Sequence, residues 1–520
     1  MFLLLAGFAV ILSAIFVLER YVQPKTPKKT LLQHITFLAI APIAMFYLTL
    51  FMLSYRPIFS VVFTLVFYLG IIVANNAKFR VLKEPLVYSD FSLLREAFKH
   101  PELYVGYIGP FKISVVFLLG GSALVGGALY EPAVIERISF NDYLPVLIFL
   151  GLLTGLIYMI TWGALRQVFQ QILAKYGAST HVEDDIEKLS LIVCLVFYFL
   201  LSGANAKKVV ALSRRNRNDP IFPDSSLKKR PHLIAVQSES FFDARRLLTH
   251  VPDGFLRHFD AASHEAAFSG RMKVSAWGAN TLRTEFAFLS GLTDEALGMH
   301  RFNPYLSLEH RKIWNLASHL RDSGYKTVCI HPFDRSFFGR DKVFPDLGFE
   351  EFIDIKSFSA DQKVGPYISD AAVTDKIEEY LKTNNRPLFL FAITMENHGR
   401  WVGDRIKRNP ELRAAMPVKS NELLQYLSHL RNADTMIGRL VATLKSGRRN
   451  ATFCFYGDHL PSLPHVFDSI GYKDPQTDYF IWQTKCVKGQ RVDLSADQLN
   501  RMVLENLTGF SPVWEVREEP

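Results

Sequence analysis

The chain is 520 residues long, 49% hydrophobic, with a formal charge of +9. It is too long for one ordinary domain, and so mild a basic charge with no accompanying motif does not point to nucleic acid. Its four cysteines, Cys194, Cys329, Cys454 and Cys486, show no paired or metal-ligating spacing, so a disulfide framework is not indicated. The positive mean hydropathy (+0.11) and the 42 phenylalanines point instead to membrane segments, which crowd into the first 205 residues.

Phe2–Val17 is apolar, close to the short limit for a span, and lacks the basic start of a signal peptide. Ile35–Leu53 and Ile58–Ala74 are the second and third predicted spans, joined by a Tyr55-Arg56-Pro57 turn. Val115–Tyr130, Leu144–Trp162 and Leu189–Leu201 complete a set of about six; an interfacial helix is the alternative for the last. Six crossings put both termini on one side. The positive-inside rule then assigns Arg20–Lys29 and Lys78–Lys112 to the cytoplasm, and the acidic Glu131–Asp142 loop with the catalytic half to the outside. The basic Lys207–Arg230 stretch votes against this, but it adjoins a large domain, where the rule weakens, and it can lie against anionic headgroups. Arg166–Lys188 is amphipathic and is expected to follow the membrane surface. Residues 206–230 read as a polar linker, and Ala204-Asn205-Ala206 at its start resembles a signal-peptidase site.

Residues 231–520 are long enough to bury a full α/β core. Five short apolar, β-branched or aromatic runs occur there: Leu233–Val236, Thr327–Ile330, Leu388–Ile393, Thr452–Tyr456 and Tyr479–Trp482. Helix-like segments such as Leu308–Arg321, Asp375–Lys382, Asn421–Lys445 and Ala496–Leu507 alternate with them. Continuous apolar strands between helices predict a mostly parallel sheet covered on both faces. Ligands bind such a sheet at the carboxyl ends of its strands. Glu239, His331, Glu396 with His398, and Asp458 with His459 all fall directly after these runs. Two hard carboxylate oxygens and an imidazole suit one divalent cation, Mn2+, Zn2+ or Mg2+. Thr281 stands just ahead of the helix-like run Leu282–Leu289, where a threonine is by default an N-cap. Beside a cation, its oxygen would instead be a nucleophile.

The segments VQSESF, GANTLRTEF, FFGRDKVFPDLGF, MENHGRW and FYGDHLP, in this order, resemble the catalytic segments of lipoteichoic acid synthase-type phosphoglycerol transferases, in the sulfatase and alkaline phosphatase superfamily. The resemblance covers roughly Pro231 to Thr484, plus a multi-span membrane region upstream. It implies a multi-span α-helical membrane domain (1–205), a linker (206–230) and an α/β sulfatase-like catalytic domain with a central mostly parallel sheet (231–520). It further implies that Glu239, Thr281, Asp458 and His459 hold one metal, usually manganese, with Thr281 as nucleophile. Arg340 and His398 would contact the phosphoglycerol group, with His331 and Trp277 beside them on the substrate. Leu282 and Arg283 depart from the acidic or small residues that often follow the family's threonine.

The expected partners are a phospholipid donor, an envelope glycan or polymer acceptor, and the bilayer of a bacterial inner membrane, with no nucleic acid. A phosphoethanolamine transferase or a metal-dependent phosphodiesterase would use the same site. A scaffold that keeps the fold without chemistry is the reading from another class. A true sulfatase needs Cys or Ser in a C/S-x-P-x-R setting, and no cysteine here has it. Asp361–Tyr367 is read as a substrate-side loop, while the helix Asn421–Lys445 carries its leucines at core spacing. Arg400, Arg405, Lys407 and His465 read better as loop residues than as ligands.

Overall fold

The computed structural model describes residues 2–25, 39–135, 143–161, 163–175, 181–202, 206–217, 230–307, 309–403, 409–485 and 489–508. The chain divides into two compact units, Met1–Asn205 and Ala206–Pro520.

The first unit is helical. Three of its helices, Leu3–Tyr21, Pro57–Leu82 and Pro110–Gly127, are long and apolar enough to cross a membrane. Three further apolar helices, Ile40–Ser54, Leu144–Ile160 and Leu191–Leu201, are shorter. They fall on the six predicted spans, whose residues 35–38 and Trp162 lie outside the described residues. The tight turn between the second and third is as expected: Tyr55 takes a left-handed conformation (φ 52°) and Pro57 opens the next helix. Buried and partly buried polar side chains pair with one another, as a low-dielectric surrounding demands. Tyr68 donates to Glu19, Tyr198 to Asp185 at 2.7 Å, and Lys78 bridges Glu84 and Asp90 at 2.7 and 2.8 Å. The amphipathic stretch is two helices, Arg166–Lys175 and Val182–Leu189.

The second unit is built on a nine-stranded sheet. Its strands are β1 (His232–Ser238), β2 (Phe268–Lys273), β3 (Lys326–Ile330), β4 (Glu351–Ile353), β7 (Leu388–Ile393), β8 (Ala451–Gly457), β9 (Thr477–Gln483), β10 (Gln490–Arg491) and β11 (Leu494–Ser495); β5 (Lys363–Val364) and β6 (Tyr367–Ile368) form a separate hairpin. The order is β10-β2-β9-β8-β1-β7-β3-β4, with β11 on β2. All five predicted runs are strands. Four of them, β8, β1, β7 and β3, are mutually parallel, and the fifth, β9, runs antiparallel on β8.

The central strands are apolar on both faces because both are covered. Leu233 and Ala235 face a core that includes Leu282, Phe286, Phe288 and Leu289. Ile234 and Val236 face one that includes Leu423, Leu427, Leu430 and Ile437 of the long helix Asn421–Ser446. The predicted helix Leu308–Arg321 is shorter than expected: it runs from Leu316 to Asp322, because Asn315 caps it by accepting from the Ala317 and Ser318 amides. Residues 206–217, expected as linker, form a helix whose Val209 joins the core of this unit; residues 218–229 lie outside the described residues.

Candidate active site

The register of the central strands brings the acidic residues together. Ser238 of β1 pairs with Gly457 of β8, so the next residues, Glu239 and Asp458, leave the sheet side by side. Gly457 is required by this approach. A Cβ there would stand 1.7 Å from the Phe241 carbonyl oxygen, closer than any atom tolerates. Ser240, between Glu239 and Phe241, holds a left-handed conformation (φ 55°) that a serine rarely adopts. Its surroundings over-determine that strain. The Ser240 amide donates to Asp458 Oδ1 at 2.8 Å, its hydroxyl to Glu239 Oε1 at 2.9 Å, and its carbonyl accepts from Tyr426 at 2.9 Å.

Glu239, Asp458 and His459 are buried, and each offers one ligand atom within 4.8 Å of the others. Burial first, and the Asp458 carboxylate next, push Glu239 well above the usual carboxylate range. Among the described residues no lysine or arginine forms an ion pair with either carboxylate; His459 Nε2 lies 3.6 Å from Glu239 and 3.3 Å from Asp458. Among the described residues, the buried Asp458 Oδ2 has no hydrogen-bond donor. His459 Nδ1 lies 2.8 Å from the Leu460 carbonyl, so the ring proton sits there and the Nε2 lone pair faces the carboxylates. Two adjacent buried carboxyl groups without a basic partner among the described residues, an orphaned oxygen and an oriented imidazole fit a divalent cation.

Thr281 Oγ1 lies 3.4 Å from His459 Nε2. Thr281 is the first residue of the helix Thr281–Ser290, which follows Asn280 in a left-handed conformation (φ 65°), and the helix start has no side-chain cap bond. The default capping reading therefore gives way, and the hydroxyl faces the carboxylate cluster. The helix N-terminus adds unpaired amides and a favourable field for an anion.

Arg340 opens the helix Arg340–Leu347 and is 1% exposed. Its Nε and Nη2 donate to Glu285 at 3.2 and 2.8 Å, and its Nη1 reaches His331 Nε2 at 3.4 Å. Burial, then the Arg340 charge, push His331 well below its ordinary value. His398 Nδ1 lies 2.6 Å from the Gly399 carbonyl and 3.2 Å from the Tyr367 hydroxyl. The hairpin carrying Tyr367 overlaps the predicted substrate-side loop, running one residue past it to Ile368. Glu396 is not part of the cation cluster: it accepts from His429, Asn432 and the Asp370 amide, tying two helices, Asn421–Ser446 and Asp370–Thr383, to the end of β7. Trp277 stacks edge-on against Phe467, 5.5 Å between ring centroids, and its carbonyl accepts from the Leu460 amide at 2.9 Å, next to His459. Arg405 and Lys407 lie outside the described residues.

Glu285 and Ser240 went unread in the sequence. Both sit inside quoted segments, TLRTEF and VQSESF, but a helical glutamate reads as solvated until its burial is known.

A protein-family model described as Sulfatase matches residues 231–499. The capsular polysaccharide biosynthesis protein RkpI of Rhizobium meliloti (strain 1021) is 29% identical over 446 residues, which is 84% of this chain and 80% of that protein. Phosphoglycerol transferase I of Xanthomonas euvesicatoria pv. vesicatoria (strain 85-10) is 23% identical over 296 residues, 52% of this chain but 39% of its own length. Among solved structures, the integral membrane protein lipooligosaccharide phosphoethanolamine transferase A (EptA) from Neisseria meningitidis aligns over 95% of both chains at 14% identity and a TM-score of 0.52, a likeness of fold.

Proposed function

Because this chain belongs to the sulfatase family, we propose that it is a membrane-bound phosphoglycerol transferase. It takes the glycerol-phosphate headgroup of a phosphatidylglycerol-like lipid and passes it, through a phosphothreonine at Thr281, to an envelope glycan or polymer. The observation that carries this reading is the Thr281 hydroxyl, 3.4 Å from His459 Nε2 at the edge of the buried Glu239–Asp458–His459 cluster. The names of two relatives, a capsular polysaccharide biosynthesis protein and a phosphoglycerol transferase, support the substrate class.

Glu239, Asp458 and His459, with the Thr281 oxygen, would hold one divalent cation, with Mn2+ first and Zn2+ or Mg2+ as alternatives. When bound, it supplies positive charge that lowers the pKa of the threonine hydroxyl. Thr281 Oγ attacks phosphorus, and the P–O bond to diacylglycerol breaks. The amides at the start of the helix Thr281–Ser290 and the free N–H groups of Arg340 stabilise the phosphoryl oxygens. With its proton on Nδ1, His398 offers Nε2 to position the substrate or to relay a proton. An acceptor hydroxyl then displaces the Thr281 oxygen and regenerates the enzyme. Residues 1–205 keep the site beside a donor that cannot leave the bilayer cheaply, and residues 231–520 act outside the cytoplasm. Reporters fused at Lys29 and Lys228 should report opposite sides of the membrane; the same side for both refutes that topology.

The decisive experiment incubates cation-loaded protein with phosphatidylglycerol or phosphatidylethanolamine vesicles and weighs the Thr281 peptide by mass spectrometry. A glycerol-phosphate adduct is expected. An ethanolamine-phosphate adduct would reassign the headgroup, and a bare peptide from folded protein with either lipid would end the covalent mechanism.

A further inference from the structure

Arg340 is fully buried, and so is the carboxylate that meets it. Glu285 takes the Nε–Nη2 edge of the guanidinium in a two-point contact of 3.2 and 2.8 Å. A third N–H, on Nη1, points at His331 Nε2, 3.4 Å away. His331 is held as an acceptor there, because its Nδ1 donates to the Ile393 carbonyl at 3.1 Å. The guanidinium carbon lies over the Phe338 ring, 5.2 Å from its centroid. Of five N–H groups, three are committed. The two that remain, one on each terminal nitrogen, have no partner among the described residues and are left to meet a phosphoryl group. Glu285 is itself held: the Tyr305 hydroxyl donates to its Oε1, and burial together with the carboxylate pushes that phenol up, so it stays a donor.

We infer that Glu285, held by Tyr305, is the positioning residue that decides which edge of Arg340 faces the phosphoryl group. The inference rests on the reading of Arg340 as a phosphoryl contact. The pair is neutral overall, so the site offers the substrate two aimed N–H groups rather than an unpaired charge. Loosening the clamp therefore costs geometry, and removing the Glu285 charge frees a buried cation.

The two consequences have opposite signs, which a general structural defect would not produce. In the full chain, Glu285→Gln should bind inorganic phosphate several-fold more tightly by calorimetry, while kcat for headgroup release from phosphatidylglycerol vesicles falls about 100-fold, the order expected for an angstrom-scale misplacement. Tyr305→Phe keeps both charges and the edge-on packing against Phe286 and Phe344. It should leave phosphate affinity unchanged and lower kcat by about tenfold. In an Arg340→Lys background, which has no fork to orient, neither change should cost anything further. The inference is overturned if the costs are the same in both backgrounds, if Glu285→Gln weakens phosphate binding, or if both variants match the parent. If Glu285→Gln does not fold, the Tyr305→Phe comparison in the two backgrounds decides alone. A parent protein that releases no headgroup, yet whose phosphate affinity answers to Glu285 only through Arg340, would refute the transferase reading and leave the clamp standing.

Discussion

Asp458→Asn separates the cation from the fold with almost no change of shape. Asp458 Oδ1 accepts from the Ser240 and His459 amides at 2.8 and 2.9 Å, and the amide oxygen of asparagine can keep both bonds. Oδ2, which has no donor, becomes an NH2 that cannot ligate a cation. The substitution also removes the like charge beside Glu239, so the cation-free variant should melt at or above the cation-free parent. With cation at 100 times its dissociation constant, the parent should gain about 2.7 kcal/mol, because only the folded state binds. A tenfold loss of affinity would leave the variant about 1.4 kcal/mol of that gain, and a larger loss leaves less. Thermal melts of both proteins with chelator and with MnCl2 read this directly. A variant that melts like the parent under both conditions would falsify the ligand set.

Thr281→Ala should fold with a stability change within about 0.5 kcal/mol, since the helix start it occupies has no side-chain cap to lose, yet headgroup turnover should fall by at least roughly 10,000-fold. Thr281→Ser should retain part of it; full turnover by the folded alanine variant refutes the nucleophile. Gly457→Ala should cost several kcal/mol or prevent folding, because its Cβ would stand 1.7 Å from a backbone oxygen; a parent-like melting temperature would contradict that close approach. Burial, then Arg449, lower His232 to about 4, and its ring accepts from the Leu388 amide at 3.0 Å. The folded state keeps it neutral while the unfolded chain protonates below about 6.5. This contribution to stability is therefore complete above that pH and is lost as pH falls toward about 4. A His232→Gln variant should lose less stability than the parent over that window, and identical pH–melting curves would dismiss the effect.

Much of this protein can be read from one dimension. Parallel strands covered on both faces must be unbroken apolar runs, so β1, β3, β7 and β8 declare themselves locally. Groups that work at the carboxyl edge must come directly after such runs, as Glu239, His331 and Asp458 do. The six apolar helices are visible for the same reason, since hydropathy is a local property. What pairs across the fold is not local. β2 (FSGRMK), set between β9 and the short β10 and β11, has no apolar run, and the edge strand β4 (EFI) is only three residues long, so both are recognisable only by the partners that receive them. The direction of β9 depends on how the chain returns, and its composition is the same either way. Ser240 holds a strained backbone because Asp458 and Tyr426 bond to it from distant parts of the chain. Glu285 stands among apolar residues in a helix, and its sequence neighbours do not say that Arg340, 55 positions on, comes to meet it. Local patterning determined where chemistry could be placed; packing decided which charges face each other, because a buried charge is tolerated only where the fold supplies its partner.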